Sequence, residues 1–195
     1  VIQTENAVVE ARNAIAAGAT NLIARGIQAT DNKQYTDIPV VEIVVTAQEM
    51  ALLVVKAKQI VGKEMPVIAV VGVKNMFCDM SYFETIYDIR LRTYFASNSA
   101  GLKEQSRLAI EEGADLVIGG DVAVGTAKEA GCPSLFLSMT EDSLRTAFAM
   151  AENMDFAMGA EKRSNAQIET LLDYSFNGVV NMDKDGVITA VNPVM

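Results

Sequence analysis

Arg25 follows the apolar run Leu22-Ile-Ala24 and precedes Gly26. A guanidinium there is a fixed cation that can fork onto a carboxylate or phosphate. The plainer alternative is a surface charge or an ion-pair partner between lobes. Other apolar runs end in residues of the same kind: Val45-Thr46, Gly72-Val-Lys74-Asn75, Gly119-Gly120-Asp121 and Ser138-Met-Thr140. Glycine at three of these ends lets backbone approach a ligand, and helices starting just afterwards aim N–H groups at an anion. In open α/β sheets, ligands sit outside the carboxyl ends of the strands. The candidate ligand-binding set is therefore Arg25, Gly26, Thr46, Gly72, Lys74, Asn75, Gly119, Gly120, Asp121 and Thr140. Asp121 could bind a ligand hydroxyl or cap the helix that follows.

Other chemistry is excluded by what the chain lacks. It has no His, so no Ser-His-Asp or Cys-His pair and no His-ligated zinc can form. Two Cys make neither a four-cysteine metal site nor a disulfide framework. No catalytic residue, metal or cofactor is assigned, and neither a Walker A loop nor a dinucleotide GxGxxG occurs. With 16 basic and 25 acidic residues the net charge is −9, which argues against direct grip on a nucleic acid. No apolar run nears the ~20 residues of a membrane span, and no signal peptide is visible, so a cytoplasmic location is expected. One enzymatic alternative remains, a two-lobed racemase-like enzyme on small carboxylic acids, because Gly131-Cys132-Pro133 superficially resembles a racemase motif. Cys132 precedes a strand whereas Cys78 follows one, so a structural thiol accounts for Cys132 more simply. Ten Met at core-like spacing read as packing.

These residues must be held by alternating strands and helices, the pattern of parallel α/β architecture. Ala7, Val8, Ala11, Ala14 and Ile15 recur at helical spacing and Gly18 stops the helix. Strands are expected at Leu22–Ala24, Ile38–Val45, Pro66–Val71, Leu91–Phe95, Asp115–Ile118 and Ser134–Leu137. Thr46-Ala-Gln-Glu49 is a capping box opening a helix to about Ile60. Further helices are expected at Tyr82–Asp88, from a Ser99 cap to Glu112, at Val122–Ala130, and after a Thr140 cap.

Ala14-Ile-Ala-Ala-Gly18-Ala-Thr-Asn-Leu-Ile23 aligns with Ala109-Ile-Glu-Glu-Gly113-Ala-Asp-Leu-Val-Ile118, 95 residues later. Pro39 and Thr46 align with Pro133 and Thr140, 94 residues later. Punctuation and strand register both repeat, which implies two copies of one α/β unit. Copy two has a strand and helix (Val67 to Asp88) for which copy one has no counterpart, so copy one reads as truncated by roughly 30 residues.

Met154 to Asp173 is helical in pattern, with apolar positions at Met154, Met158, Ile168, Leu171 and Leu172. Asn177–Asp183, Lys184-Asp-Gly186 and Val187–Val191 then read as strand, turn and strand. The expected domains are a two-lobed receptor over 1–153, a linker helix over 154–174 and the start of a further domain over 175–195.

Leu22-Ile-Ala-Arg-Gly26, Ile38-Pro-Val-Val-Glu-Ile43, Gly113-Ala-Asp-Leu-Val-Ile-Gly-Gly-Asp121 and Glu141-Asp-Ser-Leu-Arg-Thr-Ala-Phe148 carry a family resemblance in their order and spacing. The stretch from Gly18 to about Ala151 resembles the N-terminal receptor domain of propionate-catabolism activators, which are sigma-54-dependent transcription factors. Asn177-Gly-Val-Val, Asp185-Gly-Val-Ile and Asn192 resemble the opening of a PAS domain, with Asn177 replacing the usual acidic residue. The resemblance implies two Rossmann-like (flavodoxin-like) lobes, a linker helix and a partial PAS hairpin. It implies a non-enzymatic sensor of a small organic acid; with the charge and hydropathy, no cofactor, no direct nucleic-acid contact and no membrane contact are expected of these residues, and a homodimer is expected. The full-length protein would add an ATPase module, DNA binding and engagement of sigma-54 RNA polymerase.

Overall fold

Strands covered by helices on both faces read as continuous apolar runs, and such runs build two parallel sheets here. The computed structural model describes residues 6–173 and 177–193. The chain divides into two compact units, Val1–Ala151 and Glu152–Met195. The first holds α1 (Ala7–Ala16), β1 (Leu22–Ala24), α2 (Ile27–Tyr35), β2 (Val40–Glu42), α3 (Ala47–Val61), β3 (Val67–Gly72), α4 (Phe83–Tyr87), β4 (Arg90–Phe95), α5 (Ser99–Glu111), β5 (Leu116–Gly119), α6 (Asp121–Glu129), β6 (Ser134–Phe136) and the start of α7 (Glu141–Asp173). One sheet is β1-β2 and the other is β4-β3-β5-β6, with every pairing parallel.

The internal repeat holds at the level of individual hydrogen bonds. Leu22 pairs with Val40 and Ile23 with Val41; Val117 pairs with Ser134 and Ile118 with Leu135. Leu22 N donates to Pro39 O at 2.9 Å, and Val117 N to Pro133 O at 3.0 Å. Ile43 N reaches Ala24 O at 2.8 Å, and Leu137 N reaches Gly119 O at 2.8 Å. Gly26 and Gly120 are the N-caps of α2 and α6, accepting from Thr30 N and Val124 N respectively. Ala24 thus matches Gly119 while Gly26 matches Gly120. The one-residue slip between copies falls on Arg25, which has no counterpart.

The lobes exchange their last helices. The Met50, Val54 and Ala57 side of α3 packs on Ile68, Val70, Leu116 and Ile118 of the second sheet. Ala147 and Ala151 of α7 pack back on Val41 and Ile43 of the first. Two crossover segments, Val44–Thr46 and Leu137–Thr140, therefore join the lobes. The sheets they serve differ in width, and the difference shows on the helices. Val54 is fully buried under four strands, whereas its counterpart Phe148, over two strands, is 58% exposed.

Several local expectations change. The nine-residue α2 has no periodic apolar face; only Ala29 and Asn32 are buried in it, so its pattern is silent. The strand expected over Ile38–Val45 is paired only at Val40–Glu42, after which the chain leaves for the other lobe. Asn98, not Ser99, caps α5 by accepting from Gly101 N at 2.7 Å. Asp121 is the first residue of α6 rather than its cap. Helices expected separately after Thr140 and from Met154 are one helix, α7, since no Gly stop or Pro intervenes; Tyr174 lies outside the described residues.

In the second unit, β7 (Val180–Met182) and β8 (Ile188–Val191) form an antiparallel hairpin with a bulge at Asn181/Met182. Asp183 accepts from Asp185 N and Val187 N, each at 2.9 Å, and Gly186 takes the left-handed conformation (φ 80°) the turn requires. Asn192, 7% exposed, closes the open end by accepting from Val179 N and donating to Asn177 O. Both strands are otherwise exposed.

Gly119 and Gly125 test the packing. A Cβ at Gly119 would lie 2.5 Å from Ala123 Cβ and 2.8 Å from Val71 O, whereas one at Gly125 meets nothing within 4 Å. In urea denaturation, Gly119→Ala should cost about 1–3 kcal/mol, while Gly125→Ala, inside α6, should gain roughly 0.5–1 kcal/mol.

Candidate functional site

Arg25 leaves the end of β1 and reaches across the lobe junction. Its Nη2 donates to the carbonyl of Leu137, the first residue past β6, at 3.0 Å. Burial lowers its pKa, opposed by the charges of Glu49 and Asp121. A guanidinium stays protonated through such a shift. One cation at the junction thus faces a carboxylate from each side: Glu49 from α3 and Asp121 from α6.

Glu49 is the residue that sequence reasoning assigned too small a role. As the third residue of α3 it completes the expected capping box: Glu49 N donates to Thr46 Oγ1 at 3.2 Å, and Thr46 N to Glu49 Oε2 at 2.7 Å. Its other oxygen accepts from Thr140 N at 3.2 Å and from the Thr140 hydroxyl. Thr140 is the counterpart of Thr46 at the start of α7, and its carbonyl accepts from Leu144 N. One carboxylate, 7% exposed, therefore holds the first residues before both exchanged helices. Burial raises the Glu49 pKa, but hydrogen bonds from Thr140, Thr46 and Ser143 outweigh it and leave the carboxyl below the usual carboxylate range. The Thr-x-x-Glu signal found the cap; the ninety-one residues to Thr140 left no local trace of the second contact.

The remaining expected residues divide. Gly26, Thr46, Thr140 and Asp121 meet Arg25 or Glu49 at the junction. Gly26 has φ 58° and faces Met76 Sδ, which a Cβ would approach to 3.4 Å. Gly72 and Gly119 have no room for a side chain: a Cβ at Gly72 would lie 2.6 Å from the Phe77 ring. Both are explained by packing of the second lobe. Gly120 is open, with nothing within 4 Å of a Cβ. Lys74 and Asn75 sit exposed in a short 3-10 turn after β3. Lys74 borders an open cleft of about 460 Å³ beside β4 rather than the Arg25 cluster.

Comparison with known proteins adds to this geometry. Residues 1–161 match the family described as Propionate catabolism activator. The chain belongs to the propionate catabolism activator family. A crystal structure of an NtrC family transcriptional regulator from Clostridium acetobutylicum is similar at a TM-score of 0.62 and 20% identity, over 77% of this chain and 75% of that one. The likeness shows the shared fold. A comparison with curated proteins found no match. Membership makes this chain a sensor domain of a transcriptional activator, a member of the propionate catabolism activator group whose two lobes meet at Arg25 and Glu49.

The two thiols of this family member give no support to acid–base chemistry. Cys78 lies in the segment after β3 and Cys132 immediately before Pro133 and β6. Burial pushes both thiols up, with nearby carboxylates adding to it, so the thiolate is disfavoured at each. Among the described residues no group of three or more His, Cys, Asp or Glu could hold a metal, and no helix is long and apolar enough to cross a membrane.

Glu49 makes a pH-dependent contribution with a defined sign. Its folded pKa lies below the ordinary value of 4.5, so the stabilisation is complete above about pH 4.5 and is lost as pH falls through the folded value. Glu49→Gln leaves one oxygen for two sets of donors and should cost about 1–3 kcal/mol at pH 7. Urea melts between pH 3 and 7 should show a flatter acid limb for the variant.

Proposed function

We propose that the lobe junction receives a small organic acid and that occupancy changes how the lobes close. The single observation behind this reading is Arg25: a half-buried cation, inserted relative to the repeat, at the carboxyl end of β1 and bonded across to the other lobe. Asp121 and the Glu49 cluster with Thr46 and Thr140 supply the other polar groups of the junction, and in this reading they and the backbone at Gly26 and Gly120 meet the hydroxyls of a hydroxy acid. Lys74 and Asn75, in the exposed turn after β3, stand apart from this cluster and are not part of the proposed site. The family name supports an acid of propionate metabolism as the effector. Two crossovers are few enough to act as a hinge, and closure is the ordinary response of such folds to ligand.

In this reading, residues 1–153 are the receptor, 154–174 a linker helix and 175–195 the start of a PAS domain, in a cytoplasmic homodimer. The linker carries the signal to ATPase and DNA-binding modules that engage sigma-54 RNA polymerase in the full-length activator.

Calorimetry with propionate and citrate-type tricarboxylates tests the site. Arg25→Ala should weaken effector binding about ten- to hundredfold, the loss of one charge-assisted hydrogen bond. Arg25→Lys should fall between, keeping charge without the fork. Unaltered affinity in both variants would move the site elsewhere.

A further inference from the structure

The cleft of about 460 Å³ on the second lobe is separate from the Arg25–Glu49 cluster in its lining. It runs beside β4, the edge strand of the four-stranded sheet, whose Leu91, Thr93 and Phe95 form one wall. Phe77, Cys78, Met80 and the start of α4 form the other. The Phe77 and Phe95 rings stand 5.8 Å apart at 38°. The volume is ample for a ligand of ten to twenty heavy atoms.

Polar and apolar residues line this slot in equal share, and two of its three charged groups are already hydrogen-bonded within the wall. Asp79 accepts from Ser81 N at 3.0 Å and from the Ser81 hydroxyl, while Glu84 accepts from Leu91 N at 2.7 Å. Lys74 is the one cation of the lining and makes no ion pair among the described residues. A trough that is apolar along Phe77, Met80, Leu91 and Phe95 and polar along its rim, with one ammonium outside any ion pair, can take an amphipathic monoanion whose charged end lies at Lys74, away from Asp79 and Glu84. We propose that this cleft is a second ligand site, for aryl or branched-alkyl monocarboxylates, with the carboxylate on Lys74 and the apolar body between Phe77, Phe95 and Leu91.

The site is wired to the lobe junction. The Phe77 wall is held against Gly72, where no Cβ would fit, and Phe77 bridges to Val45 of the first crossover. Val45 N donates to Met76 O at 2.8 Å, and Met76 borders Gly26 of the first lobe. Occupying the cleft stiffens a turn on which the crossover leans. The proposal does not rest on the effector reading of Arg25.

Titration of the whole chain with 3-phenylpropionate, followed by calorimetry and by amide shifts of residues 74–95, tests it. The expected result is saturable binding with shifts centred on Phe77, Thr93 and Phe95. Lys74→Met should weaken it about two- to fivefold, the range of an exposed ion pair, and the uncharged 3-phenylpropionamide should be weakened likewise. Thr93→Trp, at an exposed strand position, should block the slot while the chain stays folded, and Arg25→Ala should retain saturable binding with the shifts still centred on Phe77, Thr93 and Phe95. Absence of saturable binding up to 10 mM (roughly 2.7 kcal/mol of free energy), or binding lost in Arg25→Ala and retained in both cleft variants, overturns the proposal. The second outcome would instead place the probe at the lobe junction.

Discussion

A buried carboxylate shared by two helix starts sets the arrangement of the lobes. Glu49 would be costly where it lies were its oxygens not met by N–H and hydroxyl donors from both Thr46 and Thr140. Each helix brings four unsatisfied N–H groups and the positive end of its dipole to the same point. A single negative charge there answers both. The two crossovers cannot drift apart without stripping donors from a group that is cut off from water, so the lobe junction has a preferred geometry of its own.

Arg25 is then set against this fixed charge. Its guanidinium loses solvation, is compensated by Glu49 and Asp121, and keeps one arm on the Leu137 carbonyl. The junction is consequently balanced rather than strongly positive. On the proposed reading, an incoming acid would compete with resident carboxylates for Arg25, which would favour ligands whose hydroxyls also use Thr46, Thr140 or Asp121. Selectivity of this kind comes from matching several polar groups at once, not from net charge.

The repeat made most of the fold readable. Gly18 and Gly113, Pro39 and Pro133, Thr46 and Thr140 marked equivalent corners, and the strands between them carried unmistakable apolar runs. What stayed hidden were features that depend on distant partners. The helix after Gly26 has too little apolar surface to announce itself, although α6 in the other copy implied it. Exchange of α3 and α7 between lobes leaves no periodic signature, because both faces of the choice are equally apolar. Glu49 looked like an ordinary cap, and glycines at strand ends looked like room for a ligand when two of them make room for Phe77 and Ala123. Arg25 was legible as a cation at a strand end, and its isolation within the repeat emerged only from the pairing register.

That isolation gives the molecule a built-in reference. Positions before residue 25 map onto the second copy at one spacing and positions after it at another, so every residue of the first lobe except Arg25 has an identifiable twin in the same chain. A substitution in one copy can be compared with the matching substitution in the other under identical solution conditions. Effects common to both twins report on the architecture itself. Effects confined to one copy report on what divergence has added, and the natural origin for that comparison is the single unmatched arginine.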